Sequence, residues 1–271
     1  MLGKLIKYDL KSLGRLILPL FAVLIGSSVA LRIVIEVFGG QTSIDGSVAS
    51  IISSIFSVVV GLVYALSLTA SIFGVYVIIA MNYHKSLMSD RGYFYLTLPV
   101  THDMHLVSKL LSGAAFIIIS AVVFVLSFIP LFLGNVDLPD ILEGISDIWD
   151  VIQQYVLAKN GVLILILWAI VVLFGSQIMI FFCITVGQLM SGHRILGAFL
   201  AFIGHLLLSR TISSVFSVSQ LSAFNSKLFD VDSIGEAFSS IVLRLIIYYI
   251  IIYAIEYVAT RFVLKNKLNI E

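Results

Sequence analysis

The side chains best placed for chemistry in this 271-residue chain are ionisable groups set within long apolar runs: Arg32, Glu36, Arg210, Arg244 and Glu256, with His205 in the middle of one such run. A charge surrounded by hydrocarbon is costly unless it is paired, faces water or reaches the interface, so each of these residues demands a reason. Glu36 follows Arg32 by one helical turn, where the two can form an ion pair. Arg32, Arg210 and Arg244 fall in the outer third of their runs under the orientation derived below. Two readings stand for them: an outward cavity that meets a carboxylate or an anionic headgroup, or snorkelling to the outer interface with no further role. Glu256 precedes Thr260 by one turn and follows Tyr253 by three residues, which suits either a structural hydrogen bond or the wall of an inner cavity. His205, Glu256 or Arg244 is what an intramembrane protease or lipid-modifying enzyme would use. Such an enzyme needs its acid and base at one depth, and the sequence places His205 at mid-span and Glu256 near the inner face.

Soluble catalytic motifs give nothing. The phosphate-binding pattern G-x-x-x-x-G-K-[ST] is missing, so the chain is not expected to hydrolyse ATP by itself, and neither H-E-x-x-H nor G-x-S-x-G occurs. His84, His102 and His105 include an i, i+3 pair, yet Asp103 would point to another side of the same helix, and solvated or partner-facing histidines are the reading adopted over a metal site. The lone cysteine, Cys183, lies in an apolar run, which excludes a disulfide framework and a thiolate metal site. No cofactor is expected within the chain.

These residues must be positioned by membrane helices. Hydrophobic residues make up 60% of the chain and charged residues 11%. Mean hydropathy is +1.13. An ordinary soluble domain carries about 25% charged residues, so this composition is that of a membrane protein. A net charge of +1 lacks the dense basic face that nucleic acid requires. Crossing a hydrocarbon core of about 30 Å takes about 20 apolar residues. Six stretches qualify: 16–38, 51–81, 110–133, 162–188, 195–216 and 241–262. The predicted fold is therefore all-α, a single membrane domain over residues 1–271. Four-residue spacings of small residues, Ser57 with Gly61, Ala70 with Gly74 and Gly197 with Ala201, allow close helix contacts. Tyr248, Tyr249, Tyr253 and Tyr257 give the last span a partly polar aromatic face, read mainly as packing.

The connections set the orientation. Residues 1–15 alternate Leu2, Leu5, Ile6, Leu10 and Leu13 with Lys4, Lys7, Lys11 and Arg15 in the manner of an interfacial amphipathic helix on the inner leaflet. A cleaved signal peptide is set aside because the apolar run that follows is too long. Residues 82–109 carry Lys85, Arg91 and Lys109. With Arg194 and the tail residues Arg261, Lys265 and Lys267, the segments assigned inside hold eleven basic residues against Lys159 and Lys227 outside, so both termini are expected in the cytosol. The outside loops are acidic. The second, residues 135–160, spaces Ile141, Ile145, Ile148, Ile152 and Val156 as a helical stripe beside Trp149, an amphipathic helix at the outer rim.

The inside stretch between spans two and three has the most local structure. Gly92 ends a short helix, Tyr93-Phe94-Tyr95 form an aromatic connector, Pro99 forces Leu98 out of helical geometry, and Thr101 can cap the helix that enters span three.

This organisation resembles the permease subunit of a type-2 ATP-binding-cassette (ABC) exporter over nearly the whole chain. The resemblance lies in Lys4-Leu5-Ile6-Lys7-Tyr8-Asp9-Leu10 at the entry, the six spans, and Leu98-Pro99-Val100-Thr101 followed by Leu106-Val107-Ser108-Lys109. His102 stands where the family often has a basic residue after that element. The resemblance implies a cytosolic coupling helix at Lys85 to Arg91, with Leu87, Met88 and Tyr93 as anchors, Arg91 as the charged contact, and Leu98 and Pro99 framing it. A loop with exposed Leu, Met and Tyr also suits an interface core. It further implies a cytosolic ABC ATPase subunit that binds ATP and magnesium, a second permease chain, identical or related, and a bacterial plasma membrane. The implied cargo is amphipathic or hydrophobic, such as a small peptide toxin or bacteriocin. A secondary carrier and an intramembrane enzyme are the alternatives.

Overall fold

The computed structural model describes residues 2–38, 48–88, 100–132, 143–144, 146–147, 149–150, 161–190, 192–225 and 231–266. Those residues form helices and short turns, with no strand among them. The long helices are α1 (Leu2–Phe38), α2 (Val48–Tyr83, continued by a π-helical turn, His84–Met88) and α3 (His102–Leu126), followed by a short α4 (Ile129–Phe132). Then come α5 (Gly161–Gly187), α6 (Arg194–Asn225) and α7 (Val231–Asn266). Six of them are long and apolar enough to cross a bilayer, over Leu2–Val37, Ile51–Met88, Asp103–Phe132, Gly161–Gly187, Arg194–Thr211 and Val242–Lys265. This is a multi-pass membrane protein. The stripe expected over residues 141–156 lies largely outside the described residues, and the connector over 89–99 lies wholly outside them.

Helix boundaries differ from the sequence expectation: α6 runs on to Asn225 and α7 begins at Val231, past the expected 216 and before the expected 241. The helix expected to end near Arg15 runs on without interruption as α1, 37 residues through Pro19. At about 1.5 Å per residue that is a rod of about 55 Å. Lys4, Lys7, Lys11 and Arg15 are exposed, while Leu13, Ile17, Phe21 and Leu24 are buried in a continuous stripe. That stripe crosses the expected boundary in helical register, which explains why no break forms there. Likewise the coupling helix expected at Lys85 is, over its described part, a direct continuation of α2.

The chain divides into two compact units, residues 1–82 with 111–141, and residues 83–110 with 142–271. In the first, α1, α2 and α3 meet through small residues and hydroxyls. A Cβ on Gly74 of α2 would lie 2.7 Å from Leu20 Cδ1, so the helices touch there at glycine distance, and Gly14 faces Phe116. Gly61 has open space around it, so that small residue serves no such contact among the described residues. Ser27 and Ser67 hydroxyls lie 2.7 Å apart, and Tyr64 OH lies 3.2 Å from Ser127 Oγ, where α3 gives way to α4.

In the second unit α5 is central, with α6 and α7 each packed along it. Gly187 of α5 meets the start of α6 so closely that a Cβ there would lie 2.6 Å from Ala198 N and 2.7 Å from Arg194 O. Elsewhere on α5, a Cβ on Gly175 would overlap the ring of Tyr253 from α7. The turn into α6 contains Gly192 at φ 115°, a left-handed conformation that suits glycine.

Candidate functional site

Two sets of polar residues in the second unit hold the candidates. The first is at the end of α2. Tyr83 is fully buried, its ring stacked on Phe181 of α5 at 4.1 Å and its hydroxyl 2.8 Å from Thr185 Oγ1. One residue on, His84 Nε2 lies 3.2 Å from Gln188 Nε2. An open cleft of about 590 Å³ lies beside it, lined by His84, Gly192, His193, Arg194, Ile195 and Leu196. The beginning of the polar connection is thus fastened to the end of α5.

Within that connection the expected exposure is corrected: Leu87 and Met88 are 1% and 4% exposed and so face the protein, while Lys85 stays exposed. The π-helical turn shifts which side chains face inward, and sequence spacing alone does not show it. Arg91, Tyr93, Leu98 and Pro99 lie outside the described residues. After them Thr101 caps α3 as expected, its Oγ1 accepting from Met104 N at 3.4 Å. Asp103 in the first turn of α3 pairs with Arg261 of α7 at 2.8 Å, a contact that no spacing in the sequence signals.

The second set lies within the spans. His205 Nδ1 of α6 and Glu256 Oε1 of α7 are 2.5 Å apart, with side-chain exposures of 7% and 8%. This overturns the expected difference in depth. Tyr253 fixes α7 on α5 at Gly175, and Ala198 fixes α6 on α5 at Gly187. Counting about 1.5 Å per residue along each helix from those contacts brings His205 and Glu256 to one level. Thr260 bonds Glu256 only through the backbone, Oγ1 donating to its carbonyl at 2.7 Å, so it does not satisfy the carboxylate. Tyr253 packs its ring against Gly175 and lies nearly parallel to the His205 ring, with centroids 6.5 Å apart.

The remaining candidates lie on three different helices. Arg32 and Glu36 form the anticipated pair at 3.6 Å within α1. Arg210 and Arg244 are exposed on α6 and α7. Where α5, α6 and α7 converge, a carboxylate and an imidazole are in hydrogen-bond contact; by itself this arrangement can hold and move a proton.

No protein-family model matches the chain, and neither does any curated protein or solved structure.

Proposed function

We propose that the chain is the membrane-spanning permease subunit of an ATP-driven exporter, powered by a separate cytosolic ATPase and paired with a second permease chain. The observation that carries this reading is the fastening of α2 to α5 through Tyr83, Phe181 and Thr185. The polar connection after α2 is the place where its sequence resembles the coupling segment of type-2 ABC permeases. A force applied there reaches α5 directly, because a stacked, hydrogen-bonded and fully buried tyrosine leaves little slack. α2 is also long, with 38 residues in the span through Met88. That is about 57 Å of helix, well beyond a hydrocarbon core of about 30 Å. It has length to spare for a partner beneath the membrane. With Leu87 and Met88 turned inward, the docking surface is assigned to Lys85, Arg91 and Tyr93, and Leu87 and Met88 become its internal seat. The cargo is amphipathic or hydrophobic, as the spans are apolar with few charges, and a small peptide is the class proposed. Bacterial plasma membrane with both termini cytosolic is the matching location, supported by the distribution of Lys and Arg.

One observation favours a second reading. His205 and Glu256 share a level, which removes the objection to ion-coupled or intramembrane acid-base chemistry.

Purification of the full chain from its native membranes in mild detergent decides between them. A nucleotide-binding subunit is expected to co-purify, and Lys85→Glu with Arg91→Glu is expected to lose it while the chain remains inserted. Undiminished association in that variant refutes the docking assignment; cargo movement by the chain alone, under an ion gradient and without ATP, refutes the subunit reading. Orientation is tested separately. In a Cys183→Ala background, Lys85→Cys should resist a membrane-impermeant maleimide in intact cells and react after lysis, and labelling in intact cells would invert the topology.

A further inference from the structure

We propose that His205 and Glu256 form an intramembrane proton-binding site at the contact of α6 with α7. This goes beyond the permease reading and does not depend on it.

Glu256 Oε1 is engaged by His205, but Oε2 is buried and has no hydrogen-bond partner among the described residues, on a residue 6% exposed. A buried carboxylate oxygen of this kind either carries a proton or leaves half of a charge unsatisfied in a medium that penalises it heavily. Among the described residues no lysine or arginine pairs with it. Arg261, further along α7, is paired with Asp103 of α3. Among the described residues, the titratable groups within reach of the Glu256 charge include Cys183 from α5 and Tyr248 and Tyr253 from α7, with His205 from α6. The cation closest at hand for Glu256 is therefore His205, and only when His205 itself is protonated.

The charge of the site is consequently a matter of proton count. With one proton on the line between Nδ1 and Oε1 the pair is neutral overall, either as imidazolium and carboxylate or as imidazole and carboxylic acid. Loss of that proton to water leaves one net negative charge. Addition of a second proton from water, to the lone pair on Oε2, leaves one net positive charge. The two steps belong to the pair and not to either residue.

The location gives the proton something to act on. α6 and α7 both pack chiefly along α5 and meet each other over only a short stretch, where this hydrogen bond joins them. The neutral pair draws the two helices together; either charged state is disfavoured by hydrocarbon and draws in water. The ligand is a proton because the site is filled: Tyr253 occupies the space over Gly175 and lies nearly parallel to the His205 ring, and the imidazole and carboxylate are already in direct contact, leaving no room for a larger cation between them.

The test uses the full chain in lipid vesicles, with carbon-13 at glutamate carboxylates, followed by infrared difference spectroscopy over about pH 5 to 8, the window in which histidine changes charge. A carboxylic-acid carbonyl band that changes with pH is expected. It should vanish in Glu256→Gln and shift in position or midpoint in His205→Gln. A pH-difference spectrum unchanged by Glu256→Gln in folded protein overturns the site, leaving a permanent structural pair. Should Glu256→Gln not fold, nitrogen-15 histidine spectra of the parent chain decide. One ring signal, assigned by its loss in His205→Gln, is expected to change with pH together with the glutamate band. A His205 ring fixed in one protonation state across the same window overturns the proposal.

Discussion

The two units share one kind of polar helix contact and differ in another. In residues 1–82 with 111–141 the polar contacts between helices include hydroxyl to hydroxyl pairs: Ser27 with Ser67 at 2.7 Å and Tyr64 with Ser127 at 3.2 Å. The unit of α5, α6 and α7 has such a pair too, Tyr83 with Thr185 at 2.8 Å, but it adds ionisable contacts, Asp103 with Arg261 at 2.8 Å and an imidazole against a carboxylate, His205 with Glu256, at 2.5 Å. Hydroxyls can be donor and acceptor at once, so a serine seam satisfies itself without charge and is insensitive to pH. The His205–Glu256 pair cannot do this; its satisfaction depends on where a proton sits. Both units use glycine to bring helices close, at Gly74 in one and at Gly175 and Gly187 in the other. Close packing and hydroxyl pairs are therefore common to both, and among the described contacts the second unit adds one whose satisfaction depends on a proton.

The difference is most vulnerable at the charged pair. Glu256→Leu or His205→Leu strands the other partner in the membrane and is expected to cost about 3–5 kcal/mol, whereas the double change to leucine should recover most of that loss. Denaturant unfolding in detergent micelles, read as a double-mutant cycle, measures the coupling, and additive single losses would show that the pair is not a unit. Gly187→Ala comes next. Its Cβ would meet the backbone of α6, which cannot swing aside as a side chain can. A loss of about 1–3 kcal/mol is expected by the same assay. Gly74→Ala meets only the end of Leu20 and should lose less, which separates a backbone neighbour from a side-chain one. In the serine seam, Ser67→Ala should cost about 0.5–1.5 kcal/mol and Tyr64→Phe a similar amount, with no change in the pH dependence of unfolding. The smallest effect belongs to Glu36→Gln, since its partner Arg32 is one turn away in α1 and the Glu36 side chain is 70% exposed. Unfolding free energy by the same assay should shift by less than about 0.5 kcal/mol.

Much of this is legible in the residues, for reasons that are local. The six spanning helices follow from uninterrupted apolar runs, because a lipid-exposed backbone must satisfy its own hydrogen bonds and the length of the run is the main variable. Thr101 as a cap and Arg32 with Glu36 as a pair involve neighbours within one turn, and the structure has both. Small-residue spacing is less informative. Gly74 and Gly197 make close contacts and Gly61 makes none among the described residues, since the motif says that a contact is permitted and not that a partner arrives. The candidate site is the least legible part. His205 and Glu256 both stand out in the sequence, but at different apparent depths, and nothing in the spacing around Leu87 and Met88 announces their inward turn.

The set of helices and their embedding lay within the chain's own residues: hydrophobic composition, run length and capping act over one element and need no neighbour. How the helices slide against one another was settled only in three dimensions. A shift of one turn moves a side chain by about 5.4 Å, more than a hydrogen bond tolerates. Which turn is chosen depends on where Tyr253 finds Gly175 and Ala198 finds Gly187, contacts between different helices. That choice places an imidazole against a carboxylate, and no pattern within α6 or α7 contains it.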